Sequence, residues 1–371
     1  MDLSSEDSLR LNVLLNQDLQ AVRIDESKMV VHALTGRGEA KVPLNPNCRD
    51  DKYLRIVREL FSNHALGSPG GYPVYLRRWT RMGEMREESL QGLLLLGEPE
   101  AIVAVANSPN LNEDVARRAW WAMPDADIAR RMLRNPHIAE SEIGQELAAH
   151  LIEFLPFEIE AHNIVESVRL VLQPGLVDDA TVQSLWSRAS RKSAYYVGFL
   201  LAAPEQLPEN APANSVFEQA SEALQPLFDH NVYAAMLIKL LNSDGQAYLQ
   251  TAQKAMAKLS DQNVTVLFLA AIRNYFQDIR LSSCARYRTF DEIHAEVDQL
   301  MGRAANAQLR EVLDAAPQLK DRVRSLLALS EACETLVDPI FSQTDAIGSV
   351  MRKRLQPVTQ PLDEHIQRLL T

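Results

Sequence analysis

Between Glu88 and Phe157 the chain is repeatedly interrupted. Gly97, Pro109, Pro124 and Pro136 fall between short segments with helical apolar spacing. Proline lacks a backbone donor and clashes with the preceding helical turn, so none of these segments can extend into its neighbour. The spacing predicts helices over Glu88–Leu96, Pro99–Ala106, Asn112–Met123 and Asp125–Leu133. Helices this short are marginal in water and form only by burying an apolar stripe against one another. An internal echo supports stacking. Asn107-Ser108-Pro109-Asn110-Leu111-Asn112-Glu113 and Arg134-Asn135-Pro136-His137-Ile138-Ala139-Glu140 share Pro, an aliphatic residue two later and Glu four later. That pattern suits a helical repeat. The next such turn, Pro174-Gly175-Leu176, breaks the period, so an irregular α-solenoid of HEAT-like character is expected over 86–203.

The flanks follow different rules. Ser4 and Ser5 with Glu6 and Asp7 suit the start of a helix running to Leu19. From Ala21 the period falls to two: Val22 and Ile24, Met29 to Leu34, then Ala40, Val42 and Leu44. This predicts three antiparallel strands, with Pro43 placing the third at an edge. The N-terminal unit is therefore expected to be a small α/β element over 1–85, with a helix over Asp51–Asn63. Pro204, Pro208 and Pro212 mark a second boundary, after which 204–371 reads as a helical bundle. Its predicted helices include Val232–Leu241, Gln246–Leu259 and Val264–Ile279. Pro357 and Pro361 are expected to separate Thr344–Leu355 from a last helix at Leu362–Leu370. The fold class expected is thus mainly α, with one three-stranded antiparallel sheet.

Charge and cysteine content exclude several classes. A formal net charge of -11 over 371 residues is unsuited to coating nucleic acid, and no DNA contact is expected. No run approaches the ~18 apolar residues of a membrane span. The acidic Met1-Asp2-Leu3-Ser4-Ser5-Glu6-Asp7 has no apolar signal core. Cys48, Cys284 and Cys333 are too few and too scattered for a disulfide framework or a cysteine zinc site. A cytoplasmic location is expected.

Four constellations bear on function. Glu158, His162 and Glu166 follow i, i+4 spacing, as a metal site on one helix face would require, but no Glu-x-x-His pair accompanies them, and a solvated ion-pair face is the expected reading. Glu292, His294, Glu296 and Asp298 read the same way. Cys284 lies among Arg280, Arg286 and Arg288, which would lower a thiol pKa; an inert loop cysteine is expected. Tyr75, Arg77, Arg78, Trp79 and Arg81 form a locally basic aromatic helix of the kind that grips single-stranded RNA, although pairing with Glu84, Glu87 or Glu88 is favoured. Trp120 and Trp121 point about 100° apart, so both are buried only if their helix packs on two sides, and Trp121 is the residue left for a partner surface. No Gly-x-Ser-x-Gly elbow or phosphate-binding loop is present, and Gly67-Ser68-Pro69-Gly70-Gly71 reads as a turn. No catalytic residue, metal ligand or cofactor is assigned.

The run Gly67-Ser68-Pro69-Gly70-Gly71-Tyr72-Pro73-Val74-Tyr75-Leu76, with Arg78-Trp79-Thr80-Arg81-Met82-Gly83, Leu93-Leu94-Leu95-Leu96-Gly97-Glu98-Pro99-Glu100-Ala101 and Ala116-Arg117-Arg118-Ala119-Trp120-Trp121-Ala122-Met123, resembles the DsrS family. These are the sulfur reduction proteins encoded with the reverse-acting dissimilatory sulfite reductase (Dsr) system of sulfur-oxidising bacteria. The resemblance extends over the chain from Met1-Asp2-Leu3-Ser4 and carries no catalytic motif. It implies a soluble accessory or regulatory protein of sulfur oxidation that works through a protein partner. Post-transcriptional regulation through RNA, and metal-dependent or redox catalysis, are the alternative functions.

Overall fold

The computed structural model describes residues 3–67, 87–281, 287–302 and 306–371. The protein is mainly helical with one small antiparallel sheet. Its contacts divide it into two compact units, Met1–Pro156 and Phe157–Thr371.

The first unit begins with the helix Ser5–Leu15, capped by Ser4 Oγ, which accepts from Asp7 N. It ends four residues short of the expected Leu19, because Leu19 opens the first strand. Strands β1 (Leu19–Asp25), β2 (Val30–Thr35) and β3 (Gly38–Pro43) pair antiparallel in the order β1-β2-β3. The register Val31↔Val42 and Ala33↔Ala40 puts alternate residues on one face, and Val31, Ala33 and Val42 join the core with Leu11, Leu14 and Phe61. Pro43 lies exposed at the edge. The helix Asp50–Leu66 closes this core. A buried carboxylate ties the pieces together: Asp7 Oδ2 accepts from the Tyr53 hydroxyl and from Asn45 N.

Beyond residue 86 come the short helices Glu87–Leu94, Pro99–Ala106, Glu113–Ala122, Ala126–Leu133, Pro136–Ala139 and Glu142–Phe154. Polar side chains start three of them: Asn112 accepts from Val115 N, Asp125 from Ile128 N and Asn135 from His137 N. The two echoed turns meet directly, since Asn135 Nδ2 donates to the carbonyl of Pro109 and Arg131 to Asn107 Oδ1. Leu111 and Ile138 are buried alike. Their glutamates differ, however: Glu113 opens a helix, whereas Glu140 follows one. Helices Glu87–Leu94 and Glu113–Ala122 pack on β1. Gly97 makes this approach possible, because its φ of 64° suits glycine and a Cβ there would meet Ile24 Cγ1 at 3.0 Å. The sheet and the first repeats thus share one compact unit.

The second unit is built around the helix Ala194–Ala202, which packs against Ala161–Val171, Asp179–Ala189, Ser243–Met256 and Gln262–Tyr275. These contacts draw residues 157–203 into the same compact unit as the C-terminal helices. The proline-rich 203–214 segment, expected as a junction, is packed as well. Asn214 is buried, and its Nδ2 donates to the carbonyls of Leu369 and Leu370 at the end of the last helix.

That last helix departs most from expectation. Ser349–Leu370 is continuous, with Pro357 and Pro361 inside it. Met351, Leu355, Val358, Leu362, Ile366 and Leu369 form its buried stripe against Lys320–Ser330 and Ser243–Met256. Burying six such side chains is worth about 9–18 kcal/mol. Two interior prolines cost about 6 kcal/mol together. Pro357 is exposed, so the carbonyl it orphans on Lys353 can be satisfied by water. Burial therefore overrides the local break.

Pro357→Ala should stabilise the protein by about 1–3 kcal/mol in urea unfolding, because it restores one helical hydrogen bond at an exposed site. Gly198→Ala should do the reverse. A Cβ at Gly198 would stand 2.6 Å from Val168 Cβ, so a loss of about 1–3 kcal/mol is expected from overpacking.

Candidate partner-binding surface

Trp120 and Trp121 lie on Glu113–Ala122 and diverge as their adjacency requires. Trp120 is buried. Its Nε1–H donates to Glu146 Oε1 at 2.7 Å, and its ring meets His150 edge-to-face with centroids 4.8 Å apart. His150 in turn stacks on Phe154, with centroids 4.4 Å apart and an interplanar angle of 27°. Phe154 is 46% exposed. An aromatic row thus runs from the interior of the first unit to its surface. Glu146, His150 and Phe154 are spaced i, i+4, i+8 on Glu142–Phe154, a signal that spacing offers, whereas the contact with Trp120 on another helix is not visible in the sequence.

Trp121 points toward the sheet. Arg23, on β1, lies over its ring at 4.9 Å and donates to its carbonyl at 3.4 Å. Arg23 also pairs with Glu39 at 3.2 Å. The indole is half-buried and holds the helix to the sheet.

Burial lowers the His150 pKa below its ordinary value, while the carboxylates of Glu153, Asp125 and Glu146 pull it back up. The ring is therefore neutral at pH 7, and its Nε2 is buried without a hydrogen-bond partner. Aromatic faces bordered by carboxylates are suited to cationic or apolar side chains of a partner.

Tyr75, Arg77, Arg78, Trp79 and Arg81 lie outside the described residues, as does Cys284. The Glu158, His162, Glu166 face does not form. The helix starts at Ala161, so Glu158 precedes it, and its carboxylate accepts from Glu160 N. Glu166 chelates the Arg169 guanidinium at 2.8 and 3.0 Å. Among the described residues no group of three His, Cys, Asp or Glu is placed to hold a metal ion.

The residues from Glu292 to Asp298 also separate. Glu292 accepts from Thr289 N, Glu296 pairs with the buried Arg288, and Asp298 pairs with Arg324. His294 turns inward. Its Nε2 faces His365 Nε2 at 2.8 Å, and His365 Nδ1 lies 3.2 Å from Ser325 Oγ, joining three helices. One Nε2 must carry the proton that the other accepts. Sequence distance concealed this pair, because 71 residues separate its members.

No family model, no curated protein and no solved structure matches the chain. Among the described residues no helix is long and apolar enough to cross a membrane.

Burial, then His294, Arg368 and Arg324, push the His365 pKa down from 6.5 to about 3. Burial and Arg324 also lower that of His294, against the opposing pull of Asp291 and Asp298. The unfolded chain protonates near pH 6.5 and the folded one far lower. Stability should be complete above pH 6.5 and fall as pH drops from there toward 3, by up to about 1.4 kcal/mol per pH unit for His365. His365→Phe should flatten the pH 6.5–4.5 dependence of the urea midpoint. An unchanged slope would assign the acid sensitivity to other groups.

Proposed function

We propose that this protein is a non-catalytic protein–protein interaction module, a cytoplasmic accessory or regulatory protein of dissimilatory sulfur oxidation of the DsrS kind. The pathway rests on the sequence resemblance carried by the glycine-rich run at 67–71, the arginine-rich segment after it and the paired tryptophans. The mode of action rests on one observation, the Trp120–His150–Phe154 row, anchored at Trp120 by Glu146 and ending in an exposed phenylalanine. Binding energy at protein interfaces concentrates in aromatic anchors, and a row braced by Trp120 is already ordered before a partner arrives. Against the metal alternative stands the position of Glu158, which precedes the helix that carries His162 and Glu166.

Capture of the tagged protein from a sulfur-oxidising host, with and without ribonuclease, tests this reading. A protein partner should survive ribonuclease and fall at least about tenfold in yield with Phe154→Asp, a substitution at a half-exposed site that leaves Trp120 in place. Retention that depends on RNA and is lost when Arg77, Arg78 and Arg81 become alanine would replace this reading with RNA-based regulation.

A further inference from the structure

In the second unit a cavity of about 250 Å³ opens where the segments before three helices converge. Its apolar lining is the buried Ile164 and Val264, with Ile159 exposed at its mouth, and Arg191, Lys192 and Lys258 also line it. Three cations on one small cavity are notable in a chain of net charge -11.

What holds these cations matters. Lys192 Nζ donates to the carbonyl of Glu158 at 3.1 Å, and Lys258 Nζ to the carbonyl of Ser190 at 2.6 Å. Neutral backbone acceptors position both ammonium groups without neutralising them. These two bonds also fix the rim, because Glu158 precedes Ile159 and Ser190 precedes Arg191. Asp261 is the one carboxylate of the lining, and its Oδ1 is occupied with Val264 N at 3.0 Å. Glu160 lies nearby, 4.0 Å from His162. The helices starting at Ala161 and Ala194 reach the cavity with no side-chain cap, so their positive ends add to a field the side chains already set.

We propose that this cavity binds a small phosphate monoester, with its oxyanion between Arg191, Lys192 and Lys258 and its organic body on Ile164 and Val264, beside the exposed Ile159. A pocket floored by apolar side chains and rimmed by a few convergent polar groups has the composition of a small-molecule site. Guanidinium and ammonium donors form the strong, charge-assisted bonds that retain an oxyanion in water. The site lies in a different unit from the aromatic row, so it stands or falls independently of the interaction reading.

Calorimetric titration of the full chain with inorganic phosphate and with phenyl phosphate, against sodium chloride at matched ionic strength, tests the assignment. Saturable binding is expected for both, several-fold tighter for phenyl phosphate, with a rise in Tm that chloride does not reproduce. Arg191→Ala and Lys258→Ala should each weaken phenyl phosphate about tenfold, with an unchanged far-ultraviolet dichroism spectrum. Lys258 also holds the Ser190 carbonyl, so Arg191→Ala, at an exposed position, decides the matter if the lysine variant fails to fold. Absence of saturable binding, an equal response to chloride, or wild-type affinity in Arg191→Ala would overturn the proposal. Equal affinity for the two probes would remove the apolar floor from it.

Discussion

The helix Ala194–Ala202 has almost no face for water. Its sequence, Ala-Tyr-Tyr-Val-Gly-Phe-Leu-Leu-Ala, is buried over seven consecutive residues, and such a segment exists as a helix only if others enclose it. Four helices do so. Gly198 permits the closest crossing, where a side chain would collide with Val168 Cβ and stand 3.0 Å from the carbonyl of Val165. An aromatic layer forms against another of these neighbours, Asp179–Ala189, where Trp186 meets both Tyr196 and Phe199 edge-to-face at 5.1 and 4.9 Å. Because Ala161–Val171, Ala194–Ala202 and Gln262–Tyr275 must pack together, their starting segments gather at one place. The cationic cavity is a by-product of that packing.

The first unit solves a different problem with the same physics. Its helices are too short to persist alone. They gain stability from one another and from the sheet, through Gly97 against Ile24 and Arg23 against Trp121. Arg117 illustrates the pairwise logic, reaching Glu113 on its own helix and Glu142 on a later one at 2.6 and 3.0 Å. These pairs are exposed and contribute little to stability individually, so they set register more than strength. The buried Trp120 indole does more, since its hydrogen bond to Glu146 fixes the helix that carries His150 and Phe154.

Buried charge in the second unit is used sparingly. Arg288 and Glu331 are both buried and joined at 2.7 Å, and Glu331 also accepts from Leu281 N at 2.8 Å. Removing either partner would strand the other away from water, whereas the intact set fixes where the chain enters and leaves this region. The His294–His365 pair is the neutral counterpart, polar enough to specify how three helices meet and buried enough to resist protonation.

Local chemistry determined much of this protein from the sequence alone. Period-two spacing gave the strands, Pro43 marked the edge, and Asn112 and Asp125 marked helix starts, because each of these depends on a few neighbouring residues. The Glu146, His150, Phe154 face follows i, i+4 spacing, but only its contact with Trp120 on another helix gives it meaning. Tertiary structure decided the rest. Pro357 and Pro361 read as breaks, yet a buried stripe worth more than their cost carries the helix through them. Pro204, Pro208 and Pro212 read as a boundary, and only the folded chain shows that Asn214 donates to the carbonyls of Leu369 and Leu370, 155 and 156 residues away. Glu158 read as part of a helical face, yet the helix begins three residues later. Spacing along a chain reports propensity, whereas burial and hydrogen bonding between distant segments are far larger energies, and only the folded chain reveals which segments meet.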